Sequence, residues 1–426
     1  MNKKFFYIIP GLLFYITLLI GFYYNEDFTI GASYDFQIHL LTLNEFIKDF
    51  KYTFLNYGTM SIGSCDTPPC NTHTPIFIFY LQTINFYGTD VMRFVNMHIC
   101  LLLPFFFYIS LKSKYKLPKK NHLFFYFSLF FLISPYFRAL SIWPGSENIS
   151  ILFLIISIYF YINFKNSNLE TEKINYLILN ILFLAICCYF RPLYCFFSIF
   201  FFYEMVLKEK KISFFVIYIF VSFILSFPAF YYIFIMKVDF FTGWMENNFN
   251  FFNSTGLGYT MLFFYLLPFI IIEKKLILQI DKKNIIFNSI LFIFILYFFN
   301  YSMYQGGGIF YHFSQLLFNN NIIFYFILLI SIFYFNQLVN IFNLSNIILI
   351  LILIILEIDH YFYQETYDPL LLICLPLLFN SNIIENFFKR VNFKKINLFF
   401  IYYLSFYAIL AFRSEIHLLR NTIFNF

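Results

Sequence analysis

The chain has 426 residues, 61% of them apolar and only 12% charged. A soluble surface needs roughly a quarter of the residues charged, so soluble enzymes and soluble binding modules are excluded. A net charge of +6 does not point to nucleic acid, because the basic residues track membrane sidedness rather than forming a patch.

With ~20 apolar residues per crossing, this composition predicts an all-α polytopic membrane protein of about thirteen transmembrane helices. The chain reads as one integral-membrane domain over 1–426. The first span is Phe5–Tyr24, preceded by Lys3 and Lys4, which place the N-terminus in the cytoplasm. Residues 25–90 then form an extracytoplasmic loop, in which the short apolar stretch Pro75–Tyr87 reads as an interfacial or re-entrant helix. Val91–Leu111 crosses back to a run of lysines between 112 and 120.

The remaining predicted spans are His122–Phe137, Ser146–Phe164, Ile174–Phe190, Leu193–Leu207, Ile212–Met236, Tyr259–Ile272, Ile285–Tyr304, Asn321–Phe335, Ile341–Leu356, Leu370–Phe379 and Ile396–Phe412. This alternation puts twenty of the 28 Lys and Arg on the cytoplasmic side. Fifteen of the 22 Asp and Glu fall outside. Orientation is set by basic residues alone, so the outer acidic excess has another cause: solvation of long loops, or an outward-facing polar site.

The segment Asp35–Phe50 carries the most information. Apolar residues recur at Phe36, Leu40, Leu43, Ile47 and Phe50, and polar ones at Asp35, His39, Thr42, Glu45 and Asp49. Steps of three and four predict an amphipathic helix in the interface. Asp35 and His39, four apart, are expected on one face. Asp35 is the candidate general base, with a helix N-terminal carboxylate as the structural alternative. His39 would orient it or contact a phosphate.

The order of a first span, a long outer loop with an early Asp, a Pro-led helix ending in Gly, and an Arg before the next span resembles the GT-C glycosyltransferases, which use polyprenyl-phosphate sugars. The residues that carry the resemblance are Tyr34-Asp35-Phe36-Gln37-Ile38-His39, Thr72-His73-Thr74-Pro75-Ile76-Phe77, Phe86-Tyr87-Gly88 and Arg93-Phe94-Val95-Asn96. It covers about the first 112 residues by motif and the rest by architecture. It implies inverting sugar transfer onto a lipid, glycan or protein acceptor at the outer face of a bacterial plasma membrane, with Asp35 as base. Many members carry Asp-Glu where this chain has Asp35-Phe36, so no metal ligand or other cofactor is assigned.

Further outward-facing candidates for substrate binding are His73, Arg138, Glu147, Arg191, His312, Tyr363, Gln364 and Asp368. An Arg fork matches the oxygens of a departing phosphate, which singles out Arg138 and Arg191. The glycine run 306–308 precedes His312, and the loop Glu357–Pro369 adds Tyr, Gln and carboxylates suited to sugar hydroxyls. Cys65 and Cys70 share a tight outer loop where either a disulfide or two thiols fits. Two other classes fit the composition: a polysaccharide or lipid transporter or flippase, and a polysaccharide polymerase or ligase. Against the first, charges collect at outer helix ends and no internal repeat is visible. Against the second, the large loop comes first rather than late.

Overall fold

The computed structural model describes residues 5–28, 31–57, 74–235, 250–273, 282–302, 306–357 and 362–412. Among these residues all regular structure is helical. The N-terminal region comprises α1 (Phe5–Tyr23), α2 (Ala32–Lys48), α3 (Phe50–Asn56), α4 (Pro75–Ile84), α5 (Thr89–Cys100) and α6 (Leu102–Tyr115). The central region comprises α7 (Asn121–Ser128), α8 (Pro135–Ile142), α9 (Ser146–Asn166), α10 (Glu170–Phe190), α11 (Phe197–Phe202) and α12 (Ile212–Phe230). Next come α13 (Phe251–Ile272), α14 (Lys282–Phe298), α15 (Gly308–Phe318), α16 (Ile322–Leu338) and α17 (Leu344–Ile355). The chain then forms α18 (Leu370–Leu377), α19 (Asn382–Lys389) and α20 (Phe393–Ala411).

Local chemistry sets many of these boundaries. Asn250 caps α13 by accepting from Phe252 N at 2.9 Å, and Asn392 caps α20 by accepting from Lys395 N at 3.0 Å. Asp49 interrupts the first-loop helix and caps α3 through Tyr52 N. Pro75 and Pro135 stand at the first positions of α4 and α8, where a missing N–H costs nothing.

Among the described residues six helices are long and apolar enough to cross a membrane, or eight if each of two sharply bent pairs is one span. Several shorter apolar helices, among them Ile322–Leu338 and Leu344–Ile355, accompany them. Large side chains such as Phe220, Phe223 and Phe227 of α12 project outward, as a lipid-facing helix requires.

The two bends depart from the predicted spans. The stretch expected to run straight over His122–Phe137 turns by 68° at Ser134, because Pro135 holds the preceding residue extended. The chain turns by 81° between α18 and α19. Backbone groups released at such breaks need partners inside a membrane. Lys114 Nζ donates to Pro376 O at 2.9 Å and Leu377 O at 3.2 Å, and Asn346 Nδ2 donates to Asn380 O at 3.1 Å. Asn380 N donates back to Asn346 Oδ1 at 3.0 Å. Two further corrections concern length: α13 begins eight residues before the predicted Tyr259, and the glycine run opens a helix, α15, where a loop was expected.

Candidate functional site at the outer helix ends

The first loop is locked onto the junction of α8 with α9 and onto the C-terminal end of α10. Phe36 of α2 packs on Trp143, with ring centroids 6.0 Å apart, and Trp143 Nε1 donates to Glu26 O at 3.1 Å. Thr74 Oγ1 donates to Tyr189 O, and Tyr80 meets Phe190 edge to face at 5.9 Å. These contacts carry α2 and α4 to the end of α10, where Arg191 follows.

The buried stripe of α2 is Ala32, Phe36, His39, Leu43 and Phe46. His39 therefore does not share a face with Asp35. It is 3% exposed and stands edge-on to Phe77 at 5.0 Å, whereas Asp35 is exposed. Four helical steps overshoot one turn by about 40°, and that offset places the two residues on opposite sides of the buried boundary. Thr42 is likewise buried, while Ile47 and Phe50, expected on the apolar face, are exposed.

Asp35 lies in an acidic neighbourhood. Partial burial, then Glu147, then Asp27 raise its carboxyl from the ordinary 3.8 to about 6. Its exposed edge stays accessible, as a base that must reach a substrate requires. Glu365, from the loop after α17, lies within electrostatic reach of Glu147, Arg191, Asp35 and Glu357. Arg191 Nη1 stands 3.1 Å from Glu147 Oε1, and Nη2 donates to Thr366 Oγ1 at 3.3 Å. Thus Asp35, Glu147, Arg191 and Glu365 converge from four separate parts of the chain. Asp35 is linked to Arg191 through Glu147 and Glu365, not by direct pairing.

The two arginines differ sharply. Arg138 directs Nε to Glu26 Oε1 at 2.7 Å, Nη1 to Thr17 Oγ1 at 3.1 Å and Leu132 O at 3.0 Å, and Nη2 to Thr17 O at 2.9 Å and Glu26 Oε2 at 2.5 Å. All five donors of a guanidinium are thereby used, so Arg138 ties α8 to the end of α1. Arg191 Nη1 makes the charge contact with Glu147 but closes no hydrogen bond of good geometry within the protein. Arg191 retains donor capacity.

The loop bearing Glu365 is fixed by the glycine run. Gly306, Gly307 and Gly308 all have positive φ, and Gly307 N donates to Phe362 O at 2.8 Å. A Cβ on Gly306 would lie 2.5 Å from Phe362 O. These glycines admit backbone-to-backbone contact. Glu357 Oε2 holds the same loop by accepting from Tyr363 N at 3.2 Å.

The other candidates distribute differently. Tyr363 is exposed on this loop; Gln364 and Asp368 turn inward, Asp368 to accept from Ser134 Oγ at 2.8 Å. His312 is half-buried on α15, its ring 5.9 Å from that of Tyr311. His73, Cys65 and Cys70 lie outside the described residues. Asp27 was not singled out by sequence, and Glu357 and Glu365 were marked only as carboxylates of the loop Glu357–Pro369. Among the described residues no group of three or more His, Cys, Asp or Glu side chains is arranged to hold a metal ion.

Compared with known proteins, the chain matches no family model, no curated protein and no solved structure.

Proposed function

We propose that the protein is a membrane glycosyltransferase that moves a sugar from a polyprenyl-phosphate donor to an acceptor hydroxyl at the outer face. The observation that carries this reading is an accessible, weakly acidic carboxyl, Asp35, held in one group with Glu147, Glu365 and an incompletely satisfied arginine. A carboxyl titrating near 6 is ionised at neutral pH and is a better proton acceptor than an ordinary aspartate.

In this mechanism Asp35 takes the proton of the acceptor hydroxyl while its oxygen attacks the anomeric carbon. The bond from that carbon to the donor phosphate oxygen breaks, and the phosphate leaves with the electron pair. Arg191 faces the developing charge. Glu147 and Glu365 accept hydrogen bonds from sugar hydroxyls. A single displacement inverts the anomeric centre. The reading keeps the larger span count as well: about thirteen crossings require the shorter apolar helices to cross alongside the long ones.

The test uses membranes carrying wild type or Asp35→Asn, supplied with lipid-linked sugars and scored for glycosylated product. The variant should insert normally and lose transfer by about 10²–10⁴-fold. Undiminished transfer by the variant removes Asp35 from the chemistry.

A second reading, transport of a lipid or polysaccharide, is favoured by the two bent helix pairs, since interrupted helices are a feature of transporters. Transfer of label into product, rather than movement of intact substrate across a vesicle, separates the two.

A further inference from the structure

A second polar group lies apart from the outer acidic site and is fully enclosed. It gathers Asp368 and Gln364 from the loop before α18, Tyr265 from α13 and Tyr403 from α20. Asp368 and Tyr265 are 0% exposed, Tyr403 1% and Gln364 8%. Asp368 Oδ2, Tyr265 OH, Tyr403 OH and Gln364 Nε2 are all buried, and none closes a hydrogen bond of good geometry, Tyr265 standing only in loose hydrogen-bonding reach of Asp368 and Gln364. They are nonetheless neighbours. Tyr265 interacts with Asp368, Tyr403 and Gln364, and the Tyr265 and Tyr403 rings stack at 6.2 Å. Four buried polar atoms gathered without a well-made hydrogen bond are unusual, because buried polar groups are nearly always paired.

The position is a junction of broken helices. Ser134, which donates to Asp368 Oδ1 at 2.8 Å, is the residue at the 68° bend before α8. Asp368 lies near the start of the segment Gln364–Leu377, which bends by 81° into α19 at its far end. Tyr403 is ten residues into α20, about 15 Å along its axis. Breaks of this kind, deep in a helical bundle, are where membrane proteins build small-ion sites.

Among the described residues no cation acts on the Asp368 carboxyl. The groups acting on Asp368 and its tyrosine neighbours are Ser134, Tyr136, Tyr265, Gln364, Tyr402 and Tyr403, and none of these is a cation. An ionised carboxylate in an apolar interior is costly without a partner. Water satisfies the hydrogen bonds but not the charge.

We propose that Asp368, Tyr265, Tyr403 and Gln364 form a binding site for one monovalent alkali cation. A single carboxylate balances one positive charge. The ligands are hard oxygens: Asp368 Oδ2, two phenol oxygens, and the Gln364 oxygen once its amide is turned through a half-rotation. Ser134 donates to the other carboxylate oxygen and keeps Oδ2 directed inward. The site ties α13, α20 and the loop bearing Glu365 together, so occupancy would stiffen the support of the outer site. The proposal does not depend on glycosyl transfer.

The full chain, purified in detergent, tests it. Thermal unfolding is followed at constant ionic strength and a pH high enough to ionise the carboxyl, with sodium or potassium chloride replacing choline chloride. Either cation should raise Tm saturably, by roughly 2–6 °C. Asp368→Asn should abolish the rise. Should that variant not fold, Tyr265→Phe with Tyr403→Phe keeps the carboxylate but removes two oxygens, and should move half-saturation up by about tenfold or more. A Tm indifferent to both cations overturns the proposal, as does a rise that either altered protein retains in full. Dependence on pH alone also overturns it and assigns the carboxyl a proton and a trapped water.

Discussion

Asp35 combines two properties that oppose one another. Its carboxyl is raised to about 6 by partial burial, Glu147 and Asp27, so the folded protein favours the protonated form. The cost of ionising it in the folded protein is therefore full above pH 6 and falls away as pH drops from 6 to the ordinary 3.8. Asp35→Asn removes it: the variant should have a Tm equal to or above wild type at pH 8, with the difference closing below pH 6. Transfer should run the other way, rising with pH to half its plateau near 6 in wild type. A stabilised but inactive variant is the signature of a functional carboxyl; one that loses stability at pH 8 assigns Asp35 a structural role. The arginines make a parallel contrast. Arg191→Lys keeps the charge but loses the fork, and should lower transfer by about 10–10³-fold. Arg138→Met leaves Glu26 buried without its partner and should cost about 3–5 kcal/mol of stability, read as lowered Tm and reduced yield.

At the scale of elements, glycines decide where the charged groups stand. A Cβ at Gly145 would lie 2.7 Å from Glu147 Oε2 and 3.0 Å from Leu140 Cδ2. Gly145→Ala should therefore displace Glu147 from Arg191 and reduce transfer with little change in Tm, whereas Gly306→Ala, which meets backbone at Phe362 O, should lower both. The first-loop helix was legible in its period but not in its phase. Its hydrophobic residues step correctly, yet the buried face is chosen by Phe36 on Trp143 and His39 on Phe77. Those partners lie far along the chain, and no local pattern announces them. The bend at Ser134 was not read: Pro135 lies inside the span predicted over His122–Phe137, and it is this proline that holds Ser134 extended where the chain turns by 68°. The close backbone approach that three successive glycines permit is realised in their positive φ values and in the bond from Gly307 N to Phe362 O, while the loop that it meets was not legible.

Over the whole molecule, composition alone gave the helical, membrane-suited architecture, since 12% charged residues cannot coat a soluble surface. The candidate site was legible as a list of outward-facing polar residues, not as a grouping. Glu147 and Arg191 pair, Asp35 joins them through electrostatics, and Glu365 completes the group. Arg138, alike in sequence context, is consumed by Glu26. Predicted sidedness cannot separate these fates, because it assigns both arginines to the outer ends of predicted spans. The account rests on the convergence of the first loop with the loop after α17. Its most direct measurement is cross-linking in native membranes by a short bis-maleimide, with Cys65, Cys70 and Cys195 replaced by Ser. Asp35→Cys paired with Glu365→Cys should cross-link efficiently, while Asp35→Cys paired with Asn397→Cys, on the α20 segment bonded to Tyr126, should not. Absence of the first cross-link, with both cysteines shown reactive, would contradict a shared outer site.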